Sequence, residues 1–102
     1  MAKFVYLYTG GQMSSTPEGR EQAMQAWGAW FGGLGSAVVE IGNPFGESAT
    51  VKSGGTVPGA ASGASGFSVI EAGSLEEATA RVAGCPVLDG GGTVEVFEAI
   101  PM

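Results

Sequence analysis

The pattern that most constrains this chain is a short apolar stretch, residues 3–9, in which both alternating sets of side chains are hydrophobic. One set holds Phe4, Tyr6 and Tyr8, and the other holds Val5 and Leu7. Alternating β-branched and aromatic residues favour a β-strand, and a strand that is apolar on both faces needs cover on both sides. The sequence therefore predicts a strand at the centre of a sheet, with another layer packed against each face.

A helix is predicted to follow this strand. Ser15 or Thr16 is a suitable N-cap, and Pro17 fits the first turn, where its missing N–H costs nothing. Apolar residues then recur at spacings of three and four, as on the buried side of an amphipathic helix: Ala23, Met24, Trp27, Trp30, Phe31 and Leu34. The pair Gly32-Gly33 predicts the end of this helix.

Three further strands and a second helix are predicted in the rest of the chain. The strands cover residues 36–41, 67–72 and 93–99. Ser74 and Glu77 have the spacing of a capping box, so the second helix should begin at Leu75, and Pro86 should block its continuation.

The segment 42–66 differs in composition, being rich in Gly, Ser, Ala and Pro. Asn43-Pro44 is a turn signal, and only residues 50–52 have the pattern of a short strand. We expect a long excursion that is hairpin-like in part, inside one domain that spans residues 1–102.

The element order is βαββαβ, whose standard packing is ferredoxin-like: an α+β fold with a four-stranded antiparallel sheet and two helices on one face. We expect the uncovered face to carry Phe4, Tyr6, Tyr8 and Phe97, an aromatic patch too apolar to stay in water. A chain of 102 residues also has a modest core of its own. Both points predict a homodimer with two sheets face to face, as in a dimeric α+β barrel.

The charged and metal-binding residues exclude several functions. Ten acidic and four basic residues give a net charge of −6, which disfavours nucleic acid and membrane surfaces as partners. The chain has no histidine and one cysteine, so imidazole catalysis, haem and most zinc sites are not expected, and we predict no metal and no cofactor. A single cysteine and no long apolar run predict a cytoplasmic protein.

Five residues are candidates for a ligand site. Tyr6 and Tyr8 could hydrogen-bond a ligand or act as weak acids, although both also suit an interface. Glu95 could be a general base or an interfacial carboxylate, and Asn43 and Phe45 could form a rim or a structural turn. The lone thiol of Cys85 is predicted to be a small buried hydrophobe.

The chain resembles the YCII-related (DGPF) family over nearly its whole length. The ordered segments that carry the resemblance are residues 27–35 (WGAWFGGLG), 42–46 (GNPFG), 66–72 (GFSVIEA), 74–78 (SLEEA), 84–86 (GCP) and 91–96 (GGTVEV). The resemblance implies a ferredoxin-like subunit of a dimeric α+β barrel. It implies no His-dependent mechanism, because Ala23 stands where the Arg-x-x-His pattern of some members, here starting at Arg20, would place the histidine.

These observations leave three functions open. The chain is interpreted first as a homodimeric domain that binds a small organic ligand. It could instead be an enzyme that transfers a proton on a cyclic or carbonyl substrate with Tyr6, Tyr8 and Glu95 in place of histidine, or a pure protein interaction module. A deep pocket lined by those side chains would favour the first two, and a dry interface would favour the third.

Overall fold

The computed structural model describes residues 1–10 and 15–102 of the chain. Its strands are β1 (Ala2–Thr9), β2 (Val38–Glu40), β3 (Ala49–Lys52), β4 (Gly55–Pro58), β5 (Ala64–Ala72) and β6 (Thr93–Ala99). Its helices are α1 (Pro17–Leu34), α2 (Leu75–Ala80) and α3 (Pro86–Asp89). The predicted mixed α+β class is therefore confirmed, and β4 and α3 are short elements that the sequence does not predict.

Four of these strands form one antiparallel sheet in the order β2-β5-β1-β6. β1 lies in the interior of the sheet, as its two apolar faces predict, and pairs with β5 on one side and β6 on the other. The register places Tyr6 between Ser68 and Val96, and Val5 between Val69 and Phe97. Residues paired in this way share a face, so the register assigns every side chain of β1 to one side of the sheet.

The two faces of β1 are the reverse of those expected. Phe4, Tyr6 and Tyr8 are 1%, 0% and 6% exposed and pack in one core cluster with Trp30 of α1 and Ala78 of α2. The prediction that these three rings lie on the uncovered face with Phe97 was wrong. The uncovered side instead carries the other set, which we call the open face and define as Val5, Leu7, Phe67, Val69 and Phe97.

Side-chain size explains this arrangement. On the helix side, Tyr6 lies opposite Ser68 and Tyr8 lies opposite Gly66. These small neighbours on β5 leave room for two large rings beneath the tryptophans of α1, and the hydroxyl groups find acceptors there. Large and small side chains therefore alternate across the two strands, which fills the layer beneath the helices at close-packed density.

The first helix begins as predicted but ends later. Thr16 is the N-cap, its side chain accepting from the Gly19 N–H at 3.1 Å, and Pro17 is the first helical residue. The helix continues through the predicted Gly32-Gly33 end to Leu34, which packs against the core. Its C-cap is Gly35, whose φ of 57° is the left-handed conformation that other residues resist.

The second helix confirms the capping box. Ser74 Oγ accepts from the Glu77 N–H at 3.1 Å, and the Glu77 carboxylate accepts in return from the Gly73 N–H at 3.1 Å. Glu77 also pairs with Arg81 at 2.6 Å, and the pKa of its carboxyl is lowered chiefly by that side-chain hydrogen bond. The helix ends at Ala80, well before Pro86, so Pro86 is not what stops it. Pro86 instead begins α3, a role the sequence does not predict.

Residues 42–45, which follow β2, lie along the edge of β5. A backbone bridge joins Pro44 to Gly66, and the Phe67 N–H donates to the Asn43 carbonyl at 3.3 Å. Gly42 makes this close approach possible, because a Cβ at Gly42 would lie 1.8 Å from the Phe67 carbonyl oxygen. The predicted hairpin-like part of residues 42–66 is β3 paired with β4.

In the described part of the chain, no helix is both long and apolar enough to cross a membrane.

Replacing Gly42 by alanine should destabilise the fold more than the same change at Gly91. Both glycines have a positive φ, +80° and +81°, so both variants carry a similar backbone strain of about 1–2 kcal/mol. Only Gly42→Ala adds a clash with backbone, for which we expect about 2–3 kcal/mol more. Urea unfolding of the two variants measures the difference, and equal losses would show that residues 42–44 do not lie against β5.

Candidate functional site

The structure divides the five candidate residues between the two sides of the sheet. Tyr6 and Tyr8 lie in the core under the helices, whereas Glu95 is exposed and pairs with Leu7 on the open face. Phe45 stacks on Phe67, with ring centroids 5.8 Å apart, at the edge of the open face. The exposed Asn43 lies at the same edge, held through its backbone. The expected cluster of Tyr6, Tyr8 and Glu95 is therefore not formed within one chain.

The Tyr6 side chain is used internally. Its hydroxyl donates to the backbone carbonyl of Ala78, and its ring stacks with Trp30 at a centroid distance of 6.0 Å. Burial raises the pKa of this phenol to about 12. A buried phenol that already donates to a backbone carbonyl has neither the access nor the acidity that proton transfer at neutral pH requires.

Tyr8 belongs to a buried chain of hydrogen bonds. Its hydroxyl donates to Ser68 Oγ at 2.8 Å, and Ser68 Oγ donates to the Ile41 carbonyl at 2.5 Å. Burial raises the pKa of the Tyr8 phenol well above its usual value, although the Ser68 hydrogen bond lowers it in part. These two hydrogen bonds connect β1, β5 and Ile41, the residue after β2. The hydroxyls of Tyr8 and Ser68 therefore have a structural role.

Ser68 is the residue that the sequence analysis overlooks. It is 0% exposed, the one buried polar side chain in the described core, and it both accepts and donates. The sequence does contain a signal for this role. Ser68 is the one polar residue in the buried alternating set of β5, which consists of Gly66, Ser68, Ile70 and Ala72. A buried serine opposite Tyr6 and diagonal to Tyr8 indicates a hydrogen-bond partner.

Cys85 is confirmed as a small buried hydrophobe. It is 1% exposed and belongs to the core cluster under the helices. Burial raises the pKa of its thiol, which disfavours the thiolate that a nucleophile or metal ligand needs. Among residues 1–10 and 15–102, no three acidic or cysteine side chains lie together as a candidate metal-binding group.

Two shallow grooves lie on the helix layer, away from the candidate residues. One runs between α1 and the turn at Arg81 and Gly84, and the other runs between the end of α1 and β2, beside Phe31 and Ile41. None of the five candidates lines either groove. Neither groove is therefore a pocket built on Tyr6, Tyr8 and Glu95.

Comparisons of the chain with protein-family models, with curated proteins and with solved structures give no match. The resemblance to the YCII-related family stays a prediction, and the function has to be argued from the geometry.

The two tyrosines, the only ones in the chain, should resist ionisation in the native protein. The usual pKa of a phenol is about 10. Burial raises the pKa of Tyr6 to about 12 and raises the pKa of Tyr8 well above its usual value. Because both pKa values are raised, their contribution to stability is complete below pH 10 and is lost as the pH rises through the folded values. Tyrosinate absorbance should stay low past pH 10 and then rise together with unfolding; half-ionised tyrosines in folded protein at pH 10 would contradict the burial.

Ser68→Ala should cost more stability than Tyr8→Phe. The serine variant leaves the buried Tyr8 hydroxyl without its acceptor and the part-buried Ile41 carbonyl without its donor, and we expect a loss of about 2–3 kcal/mol. The tyrosine variant removes one donor while Ser68 keeps its bond to Ile41, so about 1 kcal/mol is expected. Urea unfolding compares the two, and a larger loss for Tyr8→Phe would refute the proposed division of roles.

Proposed function

We propose that this chain is a protein interaction module of the YCII-related type, which forms a homodimer by packing its open face against a second copy. The observation that carries the proposal is the open face itself. Val5, Leu7, Phe67 and Val69 are only partly buried in the single chain, and Phe97 is 49% exposed. Five adjoining apolar side chains on one surface favour association, because water is a poor environment for such a patch.

The strand order supports a ferredoxin-like assignment. Counted along the chain, the four strands of the large sheet lie in the order second, third, first, fourth. The core residues of α1 and α2 pack on the same side of this sheet, through Trp30 and Ala78. A layer of helices on one side and a bare apolar layer on the other is the arrangement that a dimeric α+β barrel completes by sheet-on-sheet packing.

The accessible surface is larger than the general scaling gives for a monomer of this mass. The chain exposes 6744 Å², whereas a monomer of 10.2 kDa follows the general scaling at about 5,300 Å². The excess of about 1,400 Å² is larger than the roughly 800 Å² that each partner buries in an interface of standard size. The excess accessible area of the single chain is therefore large enough to include an interface of standard size.

The alternatives have less support from the geometry. Proton transfer by Tyr6, Tyr8 and Glu95 would need these groups to share a site, but the sheet separates the phenols from the carboxylate. Of the five candidate residues, Phe45 and Glu95 lie on the open side. A ligand site built on these candidates would accordingly lie on the open side, at Phe45 and Glu95, and not beside the tyrosines.

Phe97→Lys should weaken the dimer by at least about thirtyfold, the equivalent of about 2 kcal/mol, because a charge replaces a buried ring. Met24→Lys is the matched control, since it adds the same charge at a residue of α1 that is 75% exposed. Sedimentation at micromolar concentrations should show wild type and control at twice 10.2 kDa and Phe97→Lys dissociating. Wild-type protein that stays monomeric, or equal dissociation of both variants, would overturn the proposal; circular dichroism checks that both variants fold.

A further inference from the structure

One of the two grooves on the helix layer lies between α1 and the turn that follows α2. Trp30 and Leu34 line it from α1, and Arg81 and Gly84 line it from the turn. We call it the Arg81 groove and define it by these four residues. Its volume is about 460 Å³, which is within the range of sites that hold small organic molecules. The sheet separates this groove from the open face.

Trp30 brings to the groove a hydrogen-bond donor that has no acceptor. The side chain is 9% exposed, and within residues 1–10 and 15–102 its buried Nε1 has no hydrogen-bond partner. The ring edge that carries Nε1 lies next to Gly84, because a Cβ at Gly84 would be 3.8 Å from Cδ1, the atom bonded to Nε1. A buried donor without an acceptor costs free energy, which an oxygen atom of a ligand would recover.

Arg81 brings a positive charge to the same groove. Its Nη2 donates to the Glu77 carboxylate at 2.6 Å, and this is the one hydrogen bond that the guanidinium makes within the part of the chain that the structure describes. A guanidinium has several further N–H donors in a planar fork, so it has donors left for a second acceptor. The fork matches a carboxylate, since two parallel N–H groups bind its two oxygens together.

The other residues that line the groove decide the class of ligand. Ala26, Ala29, Leu34 and Ala83 are apolar, and among the described lining residues none is acidic and Arg81 is the one charged side chain. Two donors without a side-chain acceptor require a ligand that presents oxygen acceptors. The positive charge favours an anionic group, and the alanines leave room for a small apolar group beside it.

We propose that the Arg81 groove binds a small organic carboxylate. One carboxylate oxygen accepts from the Arg81 guanidinium and the other accepts from Trp30 Nε1, while the apolar part of the ligand lies along Ala26 and Ala29 of α1. Gly84 has no side chain, so a small shift of its turn brings the ligand oxygen to the buried Nε1. The site is independent of the proposed dimer, because none of its residues belongs to the open face.

Benzoate tests the site, because it joins a carboxylate to a ring that a groove of this volume can hold. The chain has two tryptophans, so protein labelled with ¹⁵N gives two indole N–H signals in an NMR spectrum, and Trp27→Phe assigns them. Benzoate should move the Trp30 signal to lower field, as a new hydrogen bond does, and should move the Trp27 signal much less. For so small a ligand we expect a dissociation constant in the millimolar range.

Two arginine variants distinguish this site from general attraction of anions. Arg81→Gln removes the charge of the groove and should weaken benzoate binding at least about tenfold. Arg20→Gln is the matched control, since it removes the same charge from an exposed residue of α1 outside the groove, and it should change the affinity by less than about twofold. Benzamide has the same ring without the charge and should bind at least about tenfold more weakly than benzoate.

Three results would overturn the proposal. They are a Trp30 signal that does not move at about 50 mM benzoate, equal weakening by Arg81→Gln and Arg20→Gln, and equal affinity for benzamide and benzoate. The same spectra show whether each variant is folded. If Arg81→Gln does not fold, Arg81→Lys takes its place, because it keeps the charge and loses the planar fork; it should weaken binding about threefold, and an unchanged affinity would count against the carboxylate contact.

Discussion

The packing of Tyr6 and Tyr8 beneath α1 determines the rest of the structure. Two large rings fit there because β5 places Ser68 and Gly66 opposite them, and their hydroxyl groups are satisfied by Ala78 and Ser68. A phenol in this position costs free energy unless it finds an acceptor, so the ring size and the hydrogen bond have to be satisfied together. Once both requirements are satisfied, the alternate side chains of β1, Val5 and Leu7, have to face away from the helices.

That consequence places an exposed apolar surface on the opposite side of the sheet. The side chains that face away, Val5 and Leu7, join Phe67, Val69 and Phe97 in an apolar layer that the helices do not reach. The same two tyrosines that first suggest a ligand site therefore serve the core. Their raised pKa values have burial as the leading cause, which is what a structural phenol shows and not what an acid catalyst at neutral pH needs.

The sequence predicts the elements better than it predicts their faces. Periodicity and caps locate the large strands and the starts of both main helices, because these signals are local: Thr16 with Pro17, and Ser74 with Glu77. The face of β1 depends on which neighbours lie opposite it, and that register is set by residues more than fifty positions away. The separation of Glu95 from the tyrosines follows from the same long-range pairing, so local patterns could not reveal it. Gly32-Gly33 fails for a related reason, since Leu34 packs on the core and extends the helix past them.

The charges around the open face bear on how two copies would meet. Lys3 of β1 lies opposite Glu71 of β5 in the strand register, at one end of the face. Glu95 lies two residues from Phe97 on β6, towards the other end. If the two-fold axis of the proposed dimer ran parallel to the strands, the two Glu95 carboxylates would lie at the same end and repel each other. An axis perpendicular to the strands would instead bring each Glu95 towards the partner's Lys3. Like charges brought together at a partly dry interface cost free energy, so the perpendicular axis is the arrangement that electrostatics favours.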